Sequence, residues 1–430
     1  MVEQVFNTSE EFALDLDLHD PLAEFRSRFY QIPGSIYMDG NSLGLLSKDA
    51  EETLLRVLNE WKTLGIGGWS RGNPPWISYA EYLGRLESVL VGAEPSEVVV
   101  SGSTTVNLHT LVATFFKPSG KRRKILADVL NFPSDLYALD AQIRLKGGDP
   151  QRDLVLVESK DGNLIEEEDV IDSMSDEICL TVLPSVFYRS GQLLDMKKLT
   201  KEAHERGIFI GFDCSHSVGV VPHYFDEWEV DFAFWCNYKY MNGGPGSTAS
   251  LYVNKKHFGE RPGLAGWFGN DRSTMFNMDR RFDPAKDASA WQIGTTFMLS
   301  TAPIEGALRI MREAGIERIR EKSLKMTSYL MFLIDEMLTE KPYSYSIVTP
   351  REAERRGGHV GVAHEEAYRI SEALKARGVI PDFRPPNIIR LAPVPLYVSY
   401  HEVWRVVQHL KKIIDDREYG RYPKQRGIVT

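Results

Sequence analysis

Two apolar runs in this chain lead to residues that can do chemistry together. Ile208-Phe209-Ile210-Gly211-Phe212 ends in Asp213, with His216 three residues further on. Val230-Asp231-Phe232-Ala233-Phe234-Trp235-Cys236 leads through Asn237 and Tyr238 to Lys239, and the turn Gly243-Gly244-Pro245-Gly246 follows. A carboxylate closing a buried strand is costly unless it meets a positive partner. A lysine among aromatic and glycine residues does not look like a solvated surface residue, and imine-forming lysines use the tunable pKa of their amine. An aldehyde that needs an amine, on a pyridine ring whose nitrogen needs a carboxylate to keep its proton, would use both. Those are the requirements of pyridoxal 5′-phosphate.

That cofactor also needs donors for its phosphate and a flat neighbour for its ring. Gly102-Ser103-Thr104-Thr105-Val106-Asn107-Leu108-His109 follows a short apolar run and opens a helix, whose free N–H groups and positive dipole end suit a phosphate. Phe132, in Asn131-Phe132-Pro133-Ser134-Asp135, falls where loops gather at the carboxyl end of a parallel sheet. Each feature has an ordinary alternative. Thr104 and its neighbours could be a common N-cap, Phe132 a core ring in a turn, His216 a packed side chain, and Lys239 a loop lysine.

The elements that must hold these residues alternate between strand and helix. Strands are expected at Val98–Val100, 124–127, Leu154–Val157, 179–183, 209–212, Phe232–Trp235 and 249–253, with a helix over 199–206 between two of them. Near-continuous apolar strands separated by helices predict an α/β fold with a mostly parallel sheet covered on both faces. Upstream, Ser47 is a plausible N-cap for a helix over 47–64, with Leu54, Leu55, Leu58 and Trp61 at helical spacing. Asp20-Pro21 is expected to open a helix through Phe29. The loop Gly65 to Pro75 carries Trp69 and Arg71 and is either functional or a connector. From residue 304 the texture changes to helices over 304–314, 316–340 and 400–416, with short strands near 361–362 and 388–392, which predicts a smaller α+β domain. The expected division is 1–46 as an N-terminal segment packing on the small domain, 47–304 as the large cofactor-binding domain, and 305–430 as the small domain.

Composition excludes several classes. With 430 residues the chain can bury a large core. A formal charge of −9 argues against non-specific nucleic-acid binding, and the cluster Lys121-Arg122-Arg123-Lys124 is expected to be a solvated loop. No run approaches the roughly 18 apolar residues of a membrane helix. Met1 to Phe6 does not resemble a secretory signal. Cys179, Cys214 and Cys236 lie in or beside apolar runs without metal-ligand spacing, as small buried residues in a reducing compartment do. A cytoplasmic enzyme without a metal site is the expectation.

Several motifs together resemble the kynureninase family: Tyr37-Met38-Asp39-Gly40-Asn41-Ser42-Leu43-Gly44, Thr105-Val106-Asn107-Leu108-His109, Phe132-Pro133-Ser134-Asp135, Gly211-Phe212-Asp213 with His216, Tyr238-Lys239-Tyr240, Gly266-Trp267-Phe268-Gly269 and Arg390-Leu391-Ala392-Pro393-Val394-Pro395-Leu396-Tyr397. They stand in the family's order over nearly the whole chain. The resemblance implies the type I fold of pyridoxal-phosphate transferases and hydrolysis of L-kynurenine to anthranilate and L-alanine, in tryptophan catabolism and, in some organisms, pyridine nucleotide biosynthesis. It implies that Lys239 holds the cofactor, Asp213 its pyridine nitrogen, Phe132 its ring face, and Thr104, Thr105 and Tyr238 its phosphate. Ser134, Asp135, Ser185 and His216 match other positions around the cofactor. Trp267 and Thr295 match positions that reach the phosphate from a neighbouring subunit, so a homodimer with its active site at the interface is implied. Arg390 would clamp the substrate carboxylate, and Tyr238 is a candidate acid–base group if nearby positive charge lowers its pKa.

Two positions depart from animal members. Gly294-Thr295 replaces Ser-Asn, and Trp69 stands near a histidine position; both changes disfavour a 3-hydroxyl on the substrate ring. A cysteine desulfurase needs a reactive cysteine beyond the lysine, but all three cysteines precede Lys239. An aminotransferase, or a non-catalytic protein of the same fold, is separated by product analysis and by the visible band of the bound cofactor.

Overall fold

The computed structural model describes residues 6–424. Seven strands form the central sheet: β1 (Val98–Val100), β2 (Lys124–Asp128), β3 (Leu154–Val157), β4 (Ile178–Pro184), β5 (Phe209–Asp213), β6 (Phe232–Trp235) and β7 (Ser250–Val253). Their spatial order is β1-β7-β6-β5-β4-β2-β3. Every neighbouring pair is parallel except the two that involve β7. All seven expected strands form, with ends displaced by no more than one residue.

Alternation along each strand divides the core in two. Ile125, Ala127, Leu180, Val182, Phe232 and Phe234 join one buried cluster, whereas Leu126, Leu183, Ala233 and Trp235 join the other. A sheet buried on both faces needs apolar residues of both parities, hence the unbroken apolar runs.

A second sheet of β8 (Ser346–Ile347), β9 (Val360–Ala363), β10 (Asp382–Arg384) and β11 (Ile388–Leu391) is antiparallel throughout, in the order β10-β11-β9-β8. Helices Ile316–Leu338 and Tyr400–Asp415 pack together beside it. The N-terminal segment lies against this part of the chain. Ile36–Tyr37 pairs in parallel with Val379–Ile380, and Arg26 donates twice to Glu402, at 2.6 and 2.7 Å.

Three local expectations change. The helix expected over 20–29 is only a 3-10 turn, Ala23–Arg28, while the acidic stretch before it holds the α-helix Glu10–Leu18. That helix buries only Ala13 and Leu16, too narrow a stripe for periodicity to reveal. The helix expected to begin at 304 begins at Met298 and carries Pro303 inside it, so the proposed boundary falls within one element. Arg122 is not a solvated charge: it donates to the carbonyls of Ile178, Arg206 and Gly207 and ties two loops at the sheet margin.

Candidate active site

Four loops meet at the carboxyl ends of adjacent parallel strands, where ligands bind in open α/β sheets. They follow β2, β4, β5 and β6, and they bring Phe132, Ser134, Asp135, Tyr188, Asp213, His216, Tyr238 and Lys239 around one cavity. Thr104 and Thr105 reach the same cavity from the helix Thr104–Phe115, and Arg384 and Arg390 reach it from β10 and β11. The N-terminal loop completes the wall with Asn41 and Ser42. Gly44 explains how that loop comes so close. Its N–H donates to the Tyr238 carbonyl at 2.7 Å, and a Cβ there would stand 2.5 Å from the Lys239 carbonyl oxygen.

Electrostatics distinguish the side chains. Lys239 Nζ lies 2.9 Å from His216 Nε2. Burial, then the charges of Lys239 and Arg390, push the His216 pKa well below its ordinary value, so the ring is neutral. Its Nε2 accepts from the lysine in the tautomer that carries the ring proton on Nδ1. Asp213 ends β5 and accepts the Ser215 N–H at 2.8 Å. Asp135, fully enclosed beside it, is held protonated first by burial and then by the Asp213 charge. Burial lowers the Arg390 pKa, opposed chiefly by Asp382, which accepts its Nε–H at 2.5 Å. Nη1 of the same arginine donates to the Tyr188 carbonyl and Nη2 to Ser42 Oγ.

These groups fit pyridoxal phosphate on points the chain itself leaves open. No ion pair is made by Asp213 among the described residues, so a protonated ring nitrogen is the partner its charge lacks. Ser103, the N-cap residue of Thr104–Phe115, makes no side-chain capping bond, which leaves first-turn N–H groups for a phosphate. Thr105 and Ser134 place their hydroxyls 2.9 Å apart at the same mouth. Phe132 is 41% exposed, with its edge against the Tyr188 ring at 5.3 Å and 88°.

Comparison with known proteins agrees with this geometry. Residues 319–410 match the family described as Kynureninase C-terminal domain. Over 420 residues, 98% of each chain, the sequence is 58% identical to the kynureninase of Geobacillus thermodenitrificans. The chain belongs to the kynureninase family. In fold it is also similar to an apo cysteine desulfurase from Thermococcus onnurineus, with a TM-score of 0.76, 17% identity and coverage of 94% and 98% of the two chains. A C-DES variant with glycine covalently linked to its PLP cofactor gives a TM-score of 0.77 at 15% identity, covering 90% and 98%.

The family's motifs do not all converge on the Lys239 cavity within this chain. Trp267, 49% exposed, stands beside Phe268 and Phe276 and lines a separate groove with Arg280 and Arg281. Thr295 lines another with Ser103 and Val106. Trp69 packs against Trp76 and Phe268, outside the Lys239 cavity. Ser185 is fully buried beneath the site, where its hydroxyl bonds the Asp213 carbonyl and Ser217. The condition set for Tyr238 as a base is also reversed. The Cys236 thiol and burial raise its phenol above the ordinary value, so it stands as a neutral donor. Sequence reasoning did not single out Asn41, Ser42, Tyr188, Arg384 or Asp382. The first two stood inside the motif Tyr37–Gly44, whereas nothing in the local sequence marks the others.

Proposed function

We propose that this chain is a pyridoxal-phosphate-dependent hydrolase that cleaves the Cβ–Cγ bond of L-kynurenine to give anthranilate and L-alanine. The meeting of Lys239, Asp213 and Arg390 around one cavity, in a chain of this family, carries the reading. Bound there, the cofactor supplies an electrophilic aldehyde and a protonated ring that takes up the electron pair released at the substrate Cα.

Lys239 is the amine that holds the aldehyde carbon at rest and, once released, takes the proton from the substrate Cα. His216 Nε2 keeps that amine oriented without adding a competing charge. Asp213 holds the proton at the pyridine nitrogen, and the neutral Asp135 beside it adds no second negative charge. Thr104, Thr105, Ser134 and Tyr238 surround the phosphate position, and Phe132 supplies the ring's flat neighbour. With three of its five N–H groups fixed on Asp382, Tyr188 and Ser42, Arg390 retains two for the substrate carboxylate. A neutral Tyr238 can donate a proton to the substrate carbonyl oxygen or to Cβ, so it serves as an acid rather than a base.

A homodimer completes the site in this reading. Leu55, Leu58 and Trp61 stand exposed along the helix Lys48–Leu64, with Ile66, Phe297 and Leu299 exposed nearby. An apolar face of this kind marks an interface. Trp267 and Thr295 are both exposed, where a second copy could use them. Among the described residues no helix is long and apolar enough to cross a membrane. The three buried free thiols fit a cytoplasmic setting.

Purified protein with pyridoxal phosphate and L-kynurenine should release anthranilate, followed by its fluorescence, together with L-alanine. Lys239→Ala should abolish release and leave the far-ultraviolet circular dichroism unchanged. Keto-acid formation in place of alanine would favour an aminotransferase. Comparing kcat/KM for L-kynurenine and 3-hydroxykynurenine tests the part of Trp69 and Thr295, with kynurenine expected to be preferred.

A further inference from the structure

Behind Lys239 lies a histidine that none of these steps uses. His359 directly precedes β9 and is completely buried, and neither ring nitrogen makes a close hydrogen bond within the chain, although the Tyr188 carbonyl acts on the ring as a backbone acceptor. Its ring centroid is 5.8 Å from that of His216, whose Nδ1 is also unpartnered. Tyr240, next to Lys239 in sequence, buries a fourth unpartnered polar atom, its hydroxyl, beside Gly358. Leaving several buried polar atoms unsatisfied is costly, so such groups are usually joined through ordered water.

The backbone holds His359 in place. Gly191, at φ +74°, approaches it so closely that a Cβ there would meet the His359 carbonyl oxygen at 2.6 Å, and Gly357 donates to the Gly191 carbonyl at 2.8 Å. A loop that follows β4 of the large sheet thus clamps the start of a small-domain strand. The charged groups acting on both rings are Lys239, Arg390 and Arg384, and all three favour neutral imidazole. The Tyr188 carbonyl acts on His359 in the opposite direction, and burial outweighs it.

Resting on the reading of Lys239 as the cofactor lysine, we infer that His359 is a positioning residue that fixes the tautomer of His216 through a water-bridged contact with its Nδ1. With its one ring N–H turned to the Tyr188 carbonyl, a neutral His359 has only an acceptor left, so a shared water donates to it and accepts from His216 Nδ1–H. That arrangement leaves His216 Nε2 bare, as the 2.9 Å approach of Lys239 requires of an acceptor. A bare Nε2 stabilises the protonated form of the lysine nitrogen. With the opposite tautomer, Nε2–H would face that nitrogen and stabilise its unprotonated form. His359 therefore acts on the proton affinity of the Lys239 nitrogen without touching substrate or cofactor.

The test is a pH titration of the visible cofactor band in the holoenzyme. In His359→Phe the midpoint should move to lower pH by about one unit, and His359→Gln, which keeps a donor and an acceptor, should return it most of the way. In a His216→Phe background the same substitution at 359 should cause no further shift. Independently of any substitution, nitrogen-15 spectra of histidine-labelled holoenzyme should show His216 protonated at Nδ1. Equal shifts in both backgrounds, a wild-type midpoint in His359→Phe, or a proton on His216 Nε2 would each overturn the inference. A wild-type protein that develops no visible band with pyridoxal phosphate would instead remove the cofactor reading on which it rests.

Discussion

Asp135 and Asp213 bring two carboxyl groups together at the floor of the cavity, and only one can be ionised. Burial comes first and the neighbouring charge second in holding Asp135 protonated. Asp135 therefore serves as a neutral donor beside a charged acceptor. Asp135→Asn keeps a donor of nearly the same shape and should alter cofactor affinity by less than about tenfold. Asp213→Asn removes the charge that keeps the ring protonated and should lower kcat by more than about a hundredfold. Steady-state rates at saturating cofactor, with retention of the visible band through gel filtration, distinguish the two.

Arg390 is 1% exposed, and its buried pairing with Asp382 sets the direction of the guanidinium fork. Asp382 also accepts from Arg384 at 2.8 Å, so one carboxylate holds two cations at the cavity wall. Asp382→Ala should raise KM for L-kynurenine tenfold or more, with a smaller effect on kcat, because the carboxylate clamp loses its orientation. The same substitution leaves a buried arginine without its acid and should destabilise the fold by about 3–5 kcal/mol. A KM unchanged in a stably folded variant would place the carboxylate elsewhere.

Glu87 gives a pH dependence of stability with a definite sign. It is fully enclosed in the helix Tyr79–Val91, and burial raises its pKa from the ordinary 4.5 to about 8, only partly offset by Ser250, Trp235 and Asn237. Between those two values the native state holds a proton that the unfolded chain has lost. Stability from this group is thus fully present below pH 4.5 and declines as pH rises towards 8. At roughly 1.4 kcal/mol for each pH unit, the loss amounts to a few kcal/mol. Glu87→Gln keeps a neutral side chain and should flatten the decline. Denaturant midpoints of both proteins at pH 5 and pH 8.5 check it, and parallel curves would show that Glu87 ionises normally.

Much of this architecture was legible because buried strands declare themselves. Strands covered on both faces admit only apolar residues, so β1 to β7 stood out, and the chemistry at their ends followed from Asp213 and Lys239. Non-local relations did not stand out. The link between Asp382 and Arg390 depends on the antiparallel register of β10 and β11, which short strands do not encode. His359 looked like any residue before a strand, since its meaning comes from a loop 168 positions earlier that packs against it. Trp69, Trp267 and Thr295 lie outside the Lys239 cavity of their own chain, a placement that the proposed dimer requires of Trp267 and Thr295.

That division can be tested by mixing two inactive proteins. Lys239→Ala removes the cofactor lysine from its own cavity, whereas Trp267→Ala removes a side chain expected to serve the cavity of the other copy. Each homodimer then has two defective sites. A hybrid has one site lacking both groups and one built entirely from unaltered residues, as two-fold symmetry requires. Random reassortment of equal amounts should restore about one quarter of wild-type activity, half of the dimers being hybrids with one good site each. Mixing should require dissociation, so recovery should follow subunit exchange measured with differently labelled protein. If Trp267 served its own subunit's cavity, the hybrid would have no intact site, and an equal mixture would show only half the specific rate of Trp267→Ala alone.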